Sequence, residues 1–287
     1  MKWLGGRESD NVEYSGRGGG GKLLGGGIGA GIIGLIIYLV TGYTPDQVNR
    51  MAGSSTNSAP IETNKHFESG SAGNFASIVL AETEVIWDSL FTANDMTYTK
   101  PKLNIFEDEV NSACGGASAA VGPFYCPSDQ KIYLDVTFFN ELKDRFGAPG
   151  DFANAYVIAH EVGHHIQYLL GTTQKMSRLR DNGDRSGPHS TSVMLELQAD
   201  FYAGVWAHYA EKMNSKGNPV VIEPGDIQAA LNAANAIGDD RLQKQTQGRV
   251  VPDAFTHGTS KQRMYWFKKG YETGDISQGD TFRELAN

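Results

Sequence analysis

The sequence predicts an α+β domain, mostly helical with a small antiparallel sheet, placed after one N-terminal transmembrane helix. Three observations carry that expectation. Apolar residues recur at helical spacing from residue 74 onward, short and partly alternating runs cluster between 100 and 136, and residues 23 to 40 hold no charged or strongly polar side chain. With 287 residues, 40% of them hydrophobic, the chain can bury a substantial core. Its net charge of -8 comes with no basic block, which excludes a nucleic-acid partner.

The run from Leu23 to Val40 is 18 residues long and reaches about 27 Å as a helix, close to the roughly 30 Å of a bilayer core. It holds six glycines, a poor choice for a soluble helix, where each costs about 0.8–1.0 kcal/mol against alanine, but one that membranes tolerate. Lys2, Arg7, Arg17 and Lys22 precede the run and only Arg50 follows it within twenty residues. The charge bias predicts a cytoplasmic N-terminal segment (1–22), an uncleaved single-pass anchor (23–41) and an exported body in the periplasm or outside the cell. Residues 42–73 are small, polar and aperiodic and read as a linker, so the folded domain is expected over 74–287, able to fold when the chain is cut ahead of residue 42.

Within that domain, Phe75, Ile78, Val79, Glu82, Val85, Ile86 and Leu90 share one helical face, with Asn74 as the expected cap. The segments "KPKLNIFEDEV", "ASAAVGPFYC" and "QKIYLDV" are separated by turn residues and predict the sheet, with "KIYLD" as an edge open to an added strand. Cys114 and Cys126 lie in it, either as thiols or as a pair, and export favours the disulfide. A short helix follows in "TFFNELKDRFG", then longer ones around 151–170, 190–213, 224–237 and 259–272.

The stretch "AYVIAHEVGHHIQYLL" places three histidines and a glutamate in an otherwise apolar helix. His160 and His164 are four apart and project together, and Glu161 sits about 100° round from His160. Two imidazoles at that spacing donate to one zinc, with the carboxylate placed to take a proton from the attacking water and Gly163 leaving room near the metal. A third protein ligand is needed. Glu196 and Asp200, again four apart among apolar neighbours, supply it: Glu196 closes the site and Asp200 accepts the free N–H of a ligating histidine. His165 points elsewhere.

Together "AHEVGHHIQ", "ELQADFYAGVWA", "FYCPSDQKIYLD" and "FTHGTSKQRMYWFKKGYETGD" resemble the bacterial neutral zinc metallopeptidase family of gluzincin type, over nearly the whole chain. The resemblance implies a zincin-like domain, one Zn2+ per chain and hydrolysis of a protein or peptide substrate by a membrane-anchored enzyme of the bacterial inner membrane. His257, six before Arg263, is similar to active-site histidines of other membrane-associated gluzincins and is a candidate catalytic donor to the oxyanion, with Tyr202 as its rival. The alternative to a peptidase is a catalytically silent scaffold that binds cell-envelope proteins.

Overall fold

Apolar spacing turns residues 72–93 into the first long helix of a computed structural model that describes residues 1–17, 61–118, 122–181, 184–214 and 218–285. This helix, α1 (Ala72–Ala93), is capped by Ser71, whose side chain accepts from the Asn74 N–H, so the cap lies three residues ahead of the one expected. Val85 is exposed, while the rest of the predicted face is buried.

The sheet departs from the expected antiparallel one. Its order is β2 (Glu62–Thr63), β1 (Val12–Arg17), β3 (Lys102–Glu107), β7 (Lys131–Leu134) and β6 (Phe124–Cys126). β1 runs parallel to β3 and β3 parallel to β7, whereas β2 and β6 are antiparallel to their neighbours. Burial explains the choice: four consecutive residues of β3 are buried, as parallel strands covered on both faces require. "KIYLD" is therefore internal, and the free edge on that side belongs to β6. A separate hairpin, β4 (Glu109–Ser112) with β5 (Gly115–Ser118), is tied to the end of β6 by the Cys114–Cys126 disulfide.

Helices α2 (Phe138–Asp144), α3 (Asp151–Leu169), α5 (Thr191–Met213), α6 (Asp226–Ala236) and α8 (Ser260–Thr273) match the periodicity. Two more, α4 (Thr172–Asp181) and α7 (Asp239–Gln247), were not expected, because "TTQKMSRLRD" and "DDRLQKQTQ" carry too few apolar residues to show a period. A last short helix, α9, spans Thr281–Leu285. The core forms where α3, α5 and α8 cross, with Tyr156, Phe201, Trp206, Trp266 and Phe267 all 0–1% exposed. α5 and α8 touch backbone to backbone: a Cβ on Gly204 would stand 2.0 Å from Phe267 O, and one on Gly270 2.0 Å from Phe201 O.

The domain also takes in residues far ahead of the expected start at 74. Val12 is fully buried, Leu103 N donates to Asn11 O, and residues 2 and 221 pair as an isolated bridge. The carboxylate of Glu84, 1% exposed, accepts from Ser9 Oγ at 2.5 Å, Asn11 Nδ2 at 2.7 Å and Arg7 Nη2 at 3.3 Å. Residues 1–17 are thus a structural part of the domain and not a separate segment. The expected anchor (23–41) lies outside the described residues, as does most of the linker; among the described residues no helix is long and apolar enough to cross a membrane.

Cutting the chain ahead of residue 42 removes β1 and leaves Glu84 buried with Lys100 alone, 3.6 Å away. We expect that truncation to cost on the order of 3–5 kcal/mol, the usual penalty for stripping a partner from a buried charge. The reference is a chain in which only residues 18–60 are replaced by a short Gly/Ser linker, since Tyr14 and Glu62 are already paired. Equal denaturation midpoints for the two would show that the N-terminal strand contributes nothing.

Candidate metal centre

Helical spacing alone brings His160 and His164 together on α3, and Ala199 of α5 brings Glu196 to them. A Cβ on Gly163 would meet Ala199 O at 2.8 Å and Ala199 Cα at 3.0 Å, so glycine is what lets the two helices approach. The room at Gly163 is occupied by the neighbouring helix and not by the metal site, as the sequence had suggested. At this separation one ligand atom each from His160, His164 and Glu196 fall within 4.8 Å of one another. His160 Nε2 is 3.1 Å from Glu196 Oε2 and His164 Nε2 is 3.6 Å from Glu196 Oε1.

Both imidazoles are oriented by what holds their other nitrogen. His160 Nδ1 lies 2.8 Å from Asp200 Oδ1, and His164 Nδ1 2.9 Å from Gln167 Oε1. Each oxygen is an acceptor, so each Nδ1 carries a proton and Nε2 is the atom that faces the cluster, free to offer a lone pair once any proton on it has left. Gln167 is fixed in turn by donating to Leu195 O at 2.6 Å and Gln198 Oε1 at 3.2 Å. Asp200, fully buried, also accepts from Tyr156 Oη at 2.5 Å and from both Arg263 Nε and Nη2, at 2.8 and 2.9 Å. Arg263 therefore supports Asp200, and through it His160.

Glu161 is 1% exposed, and its Oε1 has no hydrogen-bond partner among the described residues. Burial raises its pKa, against the opposing pull of His164 and His160. Burial would likewise raise Glu196, but His164, His257 and the hydrogen bond from His160 outweigh it and hold that carboxylate well below its usual range. For His160 burial acts downward, yet Asp200 and Glu196 prevail and lift it to about 9; Asp200, despite its burial, is held at about 2 by Arg263 and His160. His164 keeps 18% of its side chain exposed, which marks the open side of the cluster.

His257 is 1% exposed with Nε2 unpartnered among the described residues, and its loop packs where Gly258 meets Val193 and Leu197, the neighbours of Glu196. Asp239, buried at the start of α7, pins that loop by accepting three backbone N–H groups, from Thr256, His257 and Gly258, on Oδ2. Its Oδ1 is 3.4 Å from His257 Nδ1, which also meets Thr256 Oγ1 at 2.8 Å. Tyr202 is not brought to the cluster. It sits roughly 200° round α5 from Asp200, with its ring edge-on to Trp87 at 5.8 Å. His165 faces away as expected, between Tyr125 Oη at 2.9 Å and Thr99 O at 2.6 Å.

Two orphaned buried atoms beside an N, N, O donor set with an open side fit a divalent metal, and two imidazole nitrogens with one carboxylate oxygen suit zinc. Sequence reading missed Gln167, Tyr156 and Asp239. The first had a signal, since it stands three residues after His164 on the same helix; Asp239 had none.

A family model described as "Putative neutral zinc metallopeptidase" matches residues 1–282. The chain is 46% identical to the uncharacterized protein YpfJ of Escherichia coli (strain K12), over 98% of this chain and 99% of that one. It is also 46% identical to the uncharacterized protein Rv2575 of Mycobacterium tuberculosis (strain ATCC 25618 / H37Rv), over 69% of this chain and 67% of the other. No solved structure matches the chain.

Gly163→Ala should push α3 and α5 apart, costing on the order of 1–3 kcal/mol and weakening metal binding, because Glu196 rides on the displaced helix. Thermal denaturation and a chelator-competition titration read the two effects separately, and unchanged values in both would contradict the close-approach account. Metal affinity should also depend on pH with a definite sign. The metal-free His160 is protonated below about 9, and that proton must leave before Nε2 can donate. Despite its burial, His164 is raised as well, by Glu196, and must also lose its proton, so affinity should rise with pH by at least about tenfold per unit toward 9 and then level off; a flat profile would show that the imidazoles are already neutral.

Proposed function

The chain belongs to the neutral zinc metallopeptidase family, and on that premise we propose that it is a zinc-dependent peptidase with Glu161 as general base and acid. One observation carries the reading: Asp200 and Gln167 hold both imidazoles with Nε2 turned toward Glu196, beside a buried carboxylate oxygen that nothing among the described residues satisfies.

His160, His164 and Glu196 would hold the zinc, which when bound would polarise a carbonyl as a Lewis acid and make water more acidic. Glu161 then accepts a proton from the water as its oxygen attacks the scissile carbonyl carbon. The same carboxyl delivers that proton to the amide nitrogen as the C–N bond breaks, giving a carboxylic acid and an amine. Burial, by raising the Glu161 pKa, moves it toward the range where it can do both at neutral pH. His257 Nε2 has no competing partner among the described residues and is offered as the donor to the oxygen that gains charge in the tetrahedral state, with Asp239 holding its loop in place. β6, at the edge of the sheet, lies against α3 through Tyr125 and His165, and an extended peptide could add to that edge by backbone hydrogen bonds.

Glu161→Gln is expected to bind zinc as the parent does and to lose at least 10²–10⁴-fold in peptide hydrolysis, since the amide is nearly isosteric but accepts no proton. Zinc content and turnover are measured on the same preparation. Full activity with zinc in place would refute the mechanism, and a zinc-loaded parent with no turnover on any peptide would favour the envelope scaffold.

A further inference from the structure

The apolar run 23–40 sits between two strands of one sheet. Residues 12–17 leave the fold at Arg17 and the chain re-enters it at Glu62, and these strands are antiparallel neighbours, with Glu13 opposite Thr63 and Tyr14 opposite Glu62. The far side of β1 is closed by β3, paired from Val12 opposite Leu103 to Arg17 opposite Glu107 with a one-residue register shift between Tyr14 and Gly16. Both ends of the intervening stretch thus belong to the body that carries the metal cluster.

Docking of the N-terminal strand involves buried charge as well as backbone pairing. Glu13, 4% exposed, meets Lys102 at 2.8 Å and Lys131 at 2.6 Å, so one carboxylate on β1 joins the lysines that open β3 and β7. Glu84 on α1 is satisfied by Arg7, Ser9 and Asn11, and Asn104, 2% exposed, meets Ser15 Oγ at 2.7 Å. If residues 1–17 stood on the far side of a bilayer, Glu84, Asn104 and the edge of β3 would each lose these partners inside the domain.

A single crossing by residues 23–40 would impose that separation. A second crossing could undo it, but residues 41–61 read "TGYTPDQVNRMAGSSTNSAPI", with Asp46, Asn49 and Arg50 in the middle and no apolar run of spanning length. Such a stretch cannot satisfy its polar groups in hydrocarbon. We infer that the N-terminal segment 1–17 and the metal centre lie on the same side of any membrane the chain meets, so that the apolar run does not carry the chain across. This replaces the expectation of a cytoplasmic N-terminus with an exported body, and it stands or falls independently of the peptidase reading.

Full-length chains bearing a single added cysteine, Leu4→Cys or Val250→Cys, test it. Both positions are exposed, at 64% and 42%, and the parent's own cysteines are paired, so the parent gives the labelling background. A membrane-impermeant maleimide is applied to intact spheroplasts and, separately, to lysed ones. The two variants should behave alike, both labelled or both protected before lysis and both labelled after it. Labelling of one but not the other in intact spheroplasts would overturn the inference. Hydrogen exchange on the full chain in lipid vesicles supplies a second readout: residues 12–16 should be protected as strongly as 103–106. Exchange of 12–16 at the rate of an unfolded peptide would show that β1 is not docked and would overturn it as well.

Discussion

Asp200 has no exposed surface, and a carboxylate in such a place is tolerable only when its lone pairs are filled. The donors come from two helices, Tyr156 and His160 from α3 and Arg263 from α8, while the carboxylate itself stands on a third, α5. Satisfying that one charge therefore fixes how the three helices stand. Their backbones must come close for the donors to reach, which is why glycines occupy the crossings at Gly163, Gly204 and Gly270. The arrangement serves the site directly, because the bond that satisfies Asp200 Oδ1 also chooses the tautomer of His160. The guanidinium of Arg263 is held charged by Asp200, so the pair supports itself without drawing on solvent.

A similar logic of filled valences runs outward. Gln167 performs for His164 what Asp200 performs for His160, but through a neutral amide whose other end is anchored on α5. One histidine of the cluster is thus backed by a charge and the other by a dipole. The backing of His160 is fully enclosed, whereas His164 borders the opening, where a second buried charge would have lacked partners. Asp239 repeats the pattern at a distance, with one buried carboxylate oxygen collecting three backbone donors to shape the His257 loop.

How much of this was legible depended on the distance in sequence over which each signal acts. His160 with His164 and Glu196 with Asp200 are four-residue spacings on periodic helices, so residue type and helical pitch suffice to place them. The facing of one pair by the other was inferred from chemistry, since two unsatisfied clusters in apolar helices needed each other. Helices with an apolar face were found, and α4 and α7, which lack one, were not. The sheet was misjudged as antiparallel because parallel pairing is decided by which strands are covered on both faces, a tertiary fact. β1 was invisible for the same reason: "VEYSGR" holds one apolar and one aromatic residue and borders a long glycine-rich stretch, and only β3, far along the chain, gives it a partner. Tyr202 was a reasonable donor by residue type, but its place on the helix turns it toward Trp87.

The parallel pairing of β1 with β3 also sets an order of events during synthesis. Residue 107 is made 90 residues after residue 17, a delay of roughly 5–20 s at roughly 5–20 residues per second. For that interval the first strand exists without the neighbour that completes it, while the apolar run behind it is already available to whatever binds nascent chains. The first seventeen residues, made first, therefore complete their packing only after residues 102–107 have emerged. Codon usage between these two strands, which changes no amino acid, would then set how long the first strand waits for its neighbour.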